Sequence, residues 1–456
     1  MLGKIEVILN SSFFILHSVF FLHSSFCLFS SFFILNSQFS ILHSQFFMVS
    51  FFSWLDVIAL PIVVQGFFSV RDGVRYLDFC RRAQTQRGHG QLGELPTVAV
   101  LLPCKGRDEG LERTLSVLTA LDYPSYELIL VVEETTDPAF PVLSHFCQKR
   151  ADFVQLVVAG KADQRGQKVH NLLAGIKQVS PEAEVLAFLD SDVGISRDWL
   201  LELVKPLTDP TVAATTGYRW FPLNVGGWPN LVRSAWNGSI ATSLGPGKNN
   251  FAWGGSMAMR RIDFETLDVA GYWQGAVSDD YALTEAVRTA GRPIAFTPTC
   301  LGLTPGTTSF RDLWEFTTRQ IIITRVYNPG TWKIASGWYV FYSLVFLSLL
   351  GRGMSAALDG SWMFAQFLVA VMYVLSIVKS AQTLAAVNDV LPAGVEAGWL
   401  RRAGYCLLGP WVAILFAGNF IRSWFTRTIV WRGIGYELRS KTETRIIRPL
   451  STGSTK

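Results

Sequence analysis

Charged residues are scarce in this chain, and their scarcity excludes an ordinary soluble protein. Asp, Glu, Lys and Arg make up 16% of the 456 residues, whereas hydrophobic residues make up 50%. Because soluble domains usually carry about a quarter charged residues, this composition indicates a membrane protein with one water-exposed portion. The net charge is only +5. Much of the basic excess flanks apolar segments, which points to membrane topology and not to nucleic-acid binding.

Motifs of several other protein classes are also missing. The six cysteines are scattered without a CxxC pair, which argues against structural zinc and against a disulfide framework. Three of the six histidines fall within residues 11–47, so no histidine metal cluster is evident. No GxGxxG follows the first predicted strand, and no nucleic-acid-binding motif is found. We therefore expect neither a dinucleotide-binding fold nor a nucleic-acid partner.

Residues 1–47 contain a low-complexity repeat in which Leu-His-Ser or Leu-Asn-Ser recurs with phenylalanines between. A coiled coil is one interpretation, but the heptads lack the charges that set pairing. A membrane span or a signal segment is another, weakened by the interspersed His, Asn and Gln. We favour a third interpretation, in which residues 1–47 are translated repetitive DNA and Met48 is the authentic start.

Apolar segments lie on both sides of a central region. The segment 51–70 is long enough to span a membrane, and basic residues follow it, so we expect a transmembrane helix at 48–72 and a cytoplasmic domain after it. Further transmembrane helices are expected within 336–421, followed by a basic tail at 422–456. Three crossings within 336–421 would put this tail outside, against the positive-inside rule. Either one segment dips in without crossing, or there are fewer spans than the three candidates.

Residues 95–330 alternate short β-rich runs with helical patterns. Strands are expected at 97–102, 127–132, 154–158, 184–189 and 212–216, and helices at 111–121, 167–179, 199–207 and 281–290. Strands that alternate with helices indicate an α/β fold, with a mostly parallel sheet covered on both faces.

Two acidic signals belong to this region. Asp190 and Asp192 directly follow the run 184–189, which has the pattern of a buried parallel strand. Ligands of open α/β sheets bind at the carboxyl ends of strands, and residues two apart in extended chain share a face. Two hard oxygen ligands so placed suit Mg²⁺ or Mn²⁺ bridging a diphosphate, although a solvated turn and helix cap is the alternative. The second signal, Asp279 and Asp280 before a helical pattern, can supply a base, so the pair of signals predicts sugar transfer from a nucleotide sugar.

Further motifs in this order and spacing resemble glycosyltransferases of family 2, most closely the ceramide glucosyltransferase-like branch, family 21. The similarity runs from about residue 96 to residue 329 and is carried by the segments 101–106, 132–138, 166–172, 190–192, 253–256 and 279–280. The resemblance implies a nucleotide-diphospho-sugar transferase domain of the GT-A type, flanked by transmembrane helices.

The resemblance also implies donor-binding residues. Pro103 and Lys105 end the first strand, which contacts the nucleotide in the family, and Glu134 stands where the family usually has Asp. Lys168 is expected to meet the diphosphate at a helix N-terminus, where anions are favoured. The alternative for Lys168 is an exposed helix lysine.

The resemblance also implies roles for the acidic residues. Asp192, with Asp190 nearby, matches the metal motif. Asp280 matches the base, and Asp279 is the preceding acid of the pair.

The family's last motif, Gln/Arg-x-x-Arg-Trp, is only partly present. The segment 316–320 has Arg319 but lacks the leading polar residue and the tryptophan. We assign to Arg319 the family role of facing the donor diphosphate, assisted by Arg325, because a planar guanidinium suits phosphate oxygens. The alternative is that both arginines snorkel at the membrane interface.

These observations predict an integral membrane, inverting hexosyltransferase that uses Mn²⁺ or Mg²⁺. It would move glucose from UDP-glucose to the hydroxyl of a membrane lipid such as ceramide or diacylglycerol. Aromatic and basic residues within 217–260 favour a lipid acceptor, unless these aromatics are domain core. Three alternatives remain: a processive polysaccharide synthase, a transferase of N-acetylglucosamine or hexose to a hopanoid-type lipid, and a non-catalytic membrane partner. The sequence does not predict the oligomeric state.

Overall fold

The computed structural model describes residues 54–88, 94–360, 363–391 and 397–447. The repeat at 1–47 and the proposed start at Met48 lie outside these residues. The described chain forms an α/β domain, a group of long apolar helices and a small C-terminal sheet.

Seven strands form the main sheet of the α/β domain. They are β1 (Val98–Pro103), β2 (Tyr126–Val132), β3 (Val154–Val158), β4 (Val185–Leu189), β5 (Ala214–Trp220), β6 (Ser256–Arg260) and β7 (Ile294–Leu303). Their order is β3-β2-β1-β4-β6-β5-β7. All neighbours are parallel except β6, which runs antiparallel to β4 and β5. The prediction of a mostly parallel sheet is confirmed.

Both faces of the sheet are buried, which explains the continuous apolar runs in β1 and β4. Val98, Val100 and Leu102 face one hydrophobic core, and Ala99 and Leu101 face the other. The covering helices are α2 (Leu111–Leu118), α3 (Phe140–Gln148), α4 (Gln167–Ile176), α5 (Trp199–Val204), α6 (Trp228–Ala241), α7 (Arg261–Thr266), α8 (Val269–Tyr272), α9 (Asp279–Thr289) and α10 (Phe310–Tyr327).

Two of the strands are not predicted from the sequence. Strand β6 reads Ser-Met-Ala-Met-Arg and has no β-branched residue, so its pattern does not favour a strand. Strand β7 contains Pro298 and Gly302, which also count against a strand. Both segments form strands because they pair with neighbouring strands of the folded sheet. Strand β5 also runs beyond its expected end at residue 216, and its extension carries Arg219.

Among the described residues, three helices are long and apolar enough to cross a membrane: α1 (Trp54–Thr85), α11 (Pro329–Leu358) and α12 (Phe364–Val390). The segment predicted to be the last span lies in a bent pair of helices, α13 (Trp399–Leu407) and α14 (Gly409–Phe425), with 53° between them. Ala59 of α1, Phe346 of α11 and Leu368 of α12 share one core, so these helices pack together.

Two of these helices, α12 and α14, end beside the α/β domain. Arg87 connects the end of α12 to this domain, because its Nη1 donates to the carbonyl of Val390 at 3.2 Å and its Nη2 to Asp198 at 2.7 Å. At the end of α14, Trp424 donates its indole N–H to Ser336 near the start of α11 at 2.9 Å. Helices α12 and α14 therefore both end on the side where the α/β domain lies.

The described part of the region expected as a basic tail is folded. It forms an antiparallel sheet of β8 (Thr428–Trp431), β9 (Ile434–Leu438) and β10 (Thr444–Ile447). This sheet packs on the α/β domain: Tyr436 is buried and its hydroxyl accepts from the backbone N–H of Gln167 at 3.2 Å. Thr444 donates to the carbonyl of Gly275 at 2.6 Å. The many charges of this region hid a short apolar alternation that includes Tyr436 and Leu438.

Candidate active site

A cavity of about 550 Å³ lies at the carboxyl ends of β1 and β4. The sheet continues from β1 to β2 on one side and to β4 on the other, and such a switch point is the usual ligand site of open α/β sheets. The cavity brings together most of the residues predicted from the sequence, namely Pro103, Lys105, Lys168, Asp190, Asp192, Asp279, Asp280 and Arg319.

Asp190 and Asp192 follow β4 directly, as predicted. Burial raises the pKa of Asp192, and the neighbouring carboxylates of Asp190 and Asp108 raise it further. None of the described residues donates a hydrogen bond to Asp192. A carboxylate so placed is suited to bind a cation, and its oxygens are the ligands that Mg²⁺ and Mn²⁺ prefer.

The protein alone does not complete a metal site. Across the described ranges, no group of three or more His, Cys, Asp or Glu side chains could hold a metal ion. A metal at Asp192 would therefore take further ligands from a substrate or from water. This is how Mg²⁺ is commonly held beside phosphates.

Lys168 lies in the first turn of α4 and only 11% of its side chain is exposed, so it is not a surface lysine. Its Nζ lies 2.7 Å from Asp190 Oδ1 and 3.0 Å from Asp279 Oδ2, and it donates to the carbonyl of Gly254 at 3.1 Å. Burial alone would lower the pKa of Lys168, but the two carboxylates raise it above its usual value. The ammonium thus binds the two acidic motifs to each other.

Gly254 is required by this packing. A Cβ atom at that position would collide with the carboxylate of Asp279 and with Nζ of Lys168. Its backbone N–H also donates to Oδ2 of Asp280 at 3.3 Å. Only glycine lets the backbone approach both acids so closely.

The two acids at the start of α9 have different surroundings. Asp279 is 3% exposed, and burial raises its pKa to about 6 although Lys168 opposes the shift. Asp280 is partly exposed to the cavity and accepts hydrogen bonds from Ser278 Oγ and from the backbone N–H of Tyr281 at 2.8 Å. Asp280 is therefore placed to meet a substrate, whereas Asp279 holds Lys168.

The predicted contribution of Glu134 is not found in the cavity. Glu134 is 43% exposed and pairs with Lys161 at 3.0 Å, which lowers the pKa of Glu134. The preceding residue, Glu133, is buried and forms an ion pair with Lys105, which lines the cavity. Of these two neighbouring glutamates, Glu133 is thus the one that contacts a cavity residue.

Arg319 reaches the cavity from α10, a helix that begins with a capping box between Ser309 and Asp312. Its Nη1 donates to the carbonyl of Val430 in β8 at 3.2 Å. Burial, and then the charges of other arginines, lower its pKa to about 10.

Arg325 lies outside the cavity. Its guanidinium stacks on Trp332 at 5.3 Å and donates to the carbonyls of Ser423 and Trp424 (3.1 Å) at the end of α14. Six residues along a helix turn the side chain by about a third of a turn from Arg319, so the two cannot face the same site. Cations at a helix C-terminus are stabilising, which accounts for this position.

The C-terminal sheet contributes a cavity residue that the sequence analysis missed. Arg432 occupies the turn between β8 and β9 with φ of 49°, and Gly433 follows with φ of 76°. Its Nη2 lies 2.5 Å from Asp108 Oδ1, while Ser191 Oγ donates to Asp108 Oδ2 at 2.6 Å. Burial would lower the pKa of Arg432, but Asp108 raises it. An Arg-Gly turn between two short apolar runs was the available signal.

Two further arginines line the cavity and were not predicted. Arg219 lies near the end of β5 and Arg233 lies in α6. Both belong to the basic and aromatic segment 217–260, in which the sequence predicts no specific role for either.

The sequence model of glycosyl transferase family 21 matches residues 57–444. The probable glycosyltransferase YdaM of Bacillus subtilis (strain 168) is 23% identical over 327 residues, which cover 68% of this chain and 76% of that protein. The poly-β-1,6-N-acetyl-D-glucosamine synthase of Staphylococcus epidermidis is 32% identical over 123 residues, which cover 26% of this chain and 28% of the synthase.

Solved structures with a similar chain path include two other transferases. One is a mannosyltransferase from Pyrobaculum calidifontis in complex with GDP-Man and Mn²⁺, which is 17% identical. The similarity covers 80% of this chain and 99% of the mannosyltransferase chain, with a TM-score of 0.41. Another is the glucosyl-3-phosphoglycerate synthase of Mycobacterium tuberculosis, which is 16% identical. The similarity covers 55% of this chain and 82% of the synthase chain, with a TM-score of 0.34.

The match to the family model extends over most of the chain and includes every residue of the cavity. The predicted family and the predicted GT-A type of α/β fold are both confirmed. This protein belongs to glycosyl transferase family 21 and is a glycosyltransferase.

Proposed function

We propose that this protein transfers one hexose, glucose from UDP-glucose, to the hydroxyl of a membrane lipid with inversion at the anomeric carbon. One observation carries the proposal. A partly exposed carboxylate, Asp280, shares a cavity with the Asp190 and Asp192 pair, and elements that line this cavity pack directly against the apolar helices. A base, a diphosphate site and access from the membrane are thus combined.

The donor would bind over β1 and β4. Pro103 and Lys105 would border the nucleotide, with Lys105 held in place by buried Glu133. A Mn²⁺ or Mg²⁺ ion bound at Asp192 and Asp190 would supply positive charge that stabilises the departing nucleoside diphosphate. Arg319 would face the same diphosphate.

Asp280 would act on the acceptor. Its carboxylate would take the proton of the lipid hydroxyl as the oxygen attacks the anomeric carbon and the bond to the diphosphate breaks. A single displacement inverts the configuration, so an α-linked donor would give a β-glycoside. The backbone N–H of Gly254 and the hydroxyl of Ser278 hold the carboxylate in place.

The arrangement of the apolar helices supports a cytoplasmic catalytic domain. If α1, α11 and α12 cross the membrane while α13 and α14 dip in and return, the C-terminal sheet stays on the side of the α/β domain that it contacts. This arrangement removes the conflict with the positive-inside rule, because the basic residues after α1 and after α14 then lie on one side.

A processive polysaccharide synthase is the second candidate. The segment that is 32% identical to the staphylococcal synthase favours it. Such an enzyme would make a long polymer, whereas the proposed transferase would make a lipid with one sugar.

The test uses the full chain in detergent or in native membranes with radiolabelled UDP-glucose, UDP-N-acetylglucosamine and UDP-galactose. Ceramide and diacylglycerol are supplied, and the products are separated by thin-layer chromatography. We expect a lipid that carries one sugar and its loss in Asp280→Asn. A polymer that stays at the origin would favour the synthase, and no transfer from any donor would refute the proposed function.

A further inference from the structure

Three arginines converge on two aromatic rings in the cavity. Arg219 lies over Phe221 at 5.6 Å and over Phe316 at 5.4 Å, both measured to the ring centroid. Arg233 lies over Phe221 at 4.1 Å, and Arg319 lies over Phe316 at 5.6 Å. Three cationic groups are thus held within the reach of one small ligand.

Within the part of the chain that the structure describes, no carboxylate lies within salt-bridge distance of this cluster. Arg219, Arg233 and Arg319 form no salt bridge there; Arg233 and Arg319 instead donate to the carbonyls of Gly306 (2.6 Å) and Val430 (3.2 Å). The buried Nε of Arg233 has no hydrogen-bond acceptor. Like charges gathered out of water are costly unless an anion pairs with them. The arrangement therefore favours an anionic ligand.

The donor does not account for all of this charge. In the proposed function Arg319 faces the donor diphosphate. The carboxylate of Asp192 attracts the charges of Arg219 and Arg233. A metal ion bound at Asp192 would neutralise this carboxylate. Burial, and then Arg219, lower the pKa of Arg233 to about 10. With a metal ion at Asp192, Arg219 and Arg233 would have no anionic partner among the described residues.

The position of Arg219 and Arg233 is on the membrane side of the cavity. Trp236, one turn from Arg233 on α6, stacks on Phe416 of α14 at 5.0 Å and meets Phe316 at 5.8 Å. Trp228, at the start of α6, is 63% exposed, as suits a membrane interface. Strand β5 lies three strands from β1, or about 14 Å. A lipid headgroup that approaches from the side of the apolar helices would reach these arginines first.

The same position is close to the base. Arg219 lies over Trp253 at 5.2 Å, and the next residue, Gly254, donates to Asp280. An anion held by Arg219 and Arg233 would therefore lie near the hydroxyl that Asp280 deprotonates.

We propose that Arg219 and Arg233 form an anion subsite for the acceptor, and that the acceptor is a glycerophospholipid whose phosphoryl group lies beside the reacting hydroxyl. The inference rests on the proposed function and specifies its substrate class. Guanidinium groups bind phosphoryl oxygens with paired hydrogen bonds, and the unpartnered Nε of Arg233 supplies one such donor.

The test compares two lipids that both present a primary hydroxyl, phosphatidylglycerol with a phosphate and diacylglycerol without one. Full-length wild type, Arg219→Gln and Arg233→Gln are assayed in mixed micelles with UDP-glucose, beside Arg445→Gln, which changes an arginine 66% exposed on the C-terminal sheet. We expect wild type to have a KM for phosphatidylglycerol at least about tenfold below that for diacylglycerol, the effect of one charge-assisted hydrogen bond. Both cavity variants should lose this preference, and Arg445→Gln should keep it.

Binding of UDP with Mn²⁺ is measured on the same proteins and should change less than about twofold, since a subsite for the acceptor leaves the donor site intact. Equal use of both lipids by wild type, or a preference that survives in both variants, would overturn the inference. A tenfold loss of UDP affinity would assign the arginines to the donor instead.

Two further measurements keep the inference testable if a glutamine variant fails to fold. Arg233→Lys retains the charge without the planar fork and should show a partial loss of preference. Phosphatidic acid should inhibit wild type competitively against the acceptor lipid, and lack of such inhibition would contradict the subsite. If wild type transfers to no lipid from any UDP-sugar, the proposed function itself fails; normal transfer without a preference for phosphate refutes only this inference.

Discussion

Replacing Asp280 with Asn should remove the base while leaving the donor site intact. Asparagine has nearly the same shape, and its single side-chain oxygen can still accept from the backbone N–H of Tyr281, whereas the longer hydrogen bond from Gly254 to the other oxygen is lost. Loss of a positioned general base costs about a hundredfold to ten-thousandfold in rate. This corresponds to about 2.7–5.4 kcal/mol of activation free energy. We expect kcat to fall within that range.

The matched control is Asp279→Asn. Asp279 is buried against Lys168, which keeps Asp190 as a second partner at 2.7 Å. Turnover of Asp279→Asn should therefore fall by less than about a hundredfold, which is the smallest loss expected when a general base is removed. Thermal unfolding of both variants shows whether either loss of activity reflects unfolding.

The assay is transfer from radiolabelled UDP-glucose, run beside equilibrium binding of the donor with Mn²⁺. We expect Asp280→Asn to bind the donor within about twofold of wild type, because Asp280 touches none of the proposed donor residues. A variant that turns over near the parental rate, or one inactive only because the donor no longer binds, would refute the assignment.

Three other predictions concern the metal, the C-terminal sheet and the start of the chain. Chelation should stop turnover and added Mn²⁺ or Mg²⁺ should restore it, whereas full activity of Asp192→Ala in the presence of chelator would contradict the metal site. Arg432→Ala should raise the KM for UDP-glucose about tenfold, the loss of one charge-assisted bond, because it removes a cavity cation that would pair with the donor diphosphate. Arg445→Ala should not change this KM, and an unaltered KM in Arg432→Ala would exclude its role. A chain that starts at Met48 should insert and retain activity; loss of activity with normal insertion would disprove the start-site interpretation.

The parts of the site that the sequence predicted are local in the chain. Asp190 and Asp192 follow a strand whose continuous apolar run shows that both faces are buried, and Asp279 and Asp280 begin a helix. Strand and helix geometry then places each pair at one edge of the sheet. Such inferences need only neighbouring residues.

The parts that the sequence did not predict depend on distant contacts or on side-chain direction. Glu134 and Glu133 differ by one position, and only the folded structure shows that Glu133 is the one that meets Lys105. Arg432 reaches Asp108 only because the last strands return to the α/β domain after the apolar helices. No local pattern records that return.

The position of Arg432 has a consequence for the synthesis of the protein. The turn between β8 and β9 is made after all the apolar helices, yet it borders the same cavity as β1 and β4, which are made early. An unfinished chain still attached to the ribosome, or one cleaved after α14, would have the acidic motifs without the arginine that lies beside them. Full affinity for the donor would then be reached only once the last helix is inserted and the C-terminal sheet has folded onto the α/β domain.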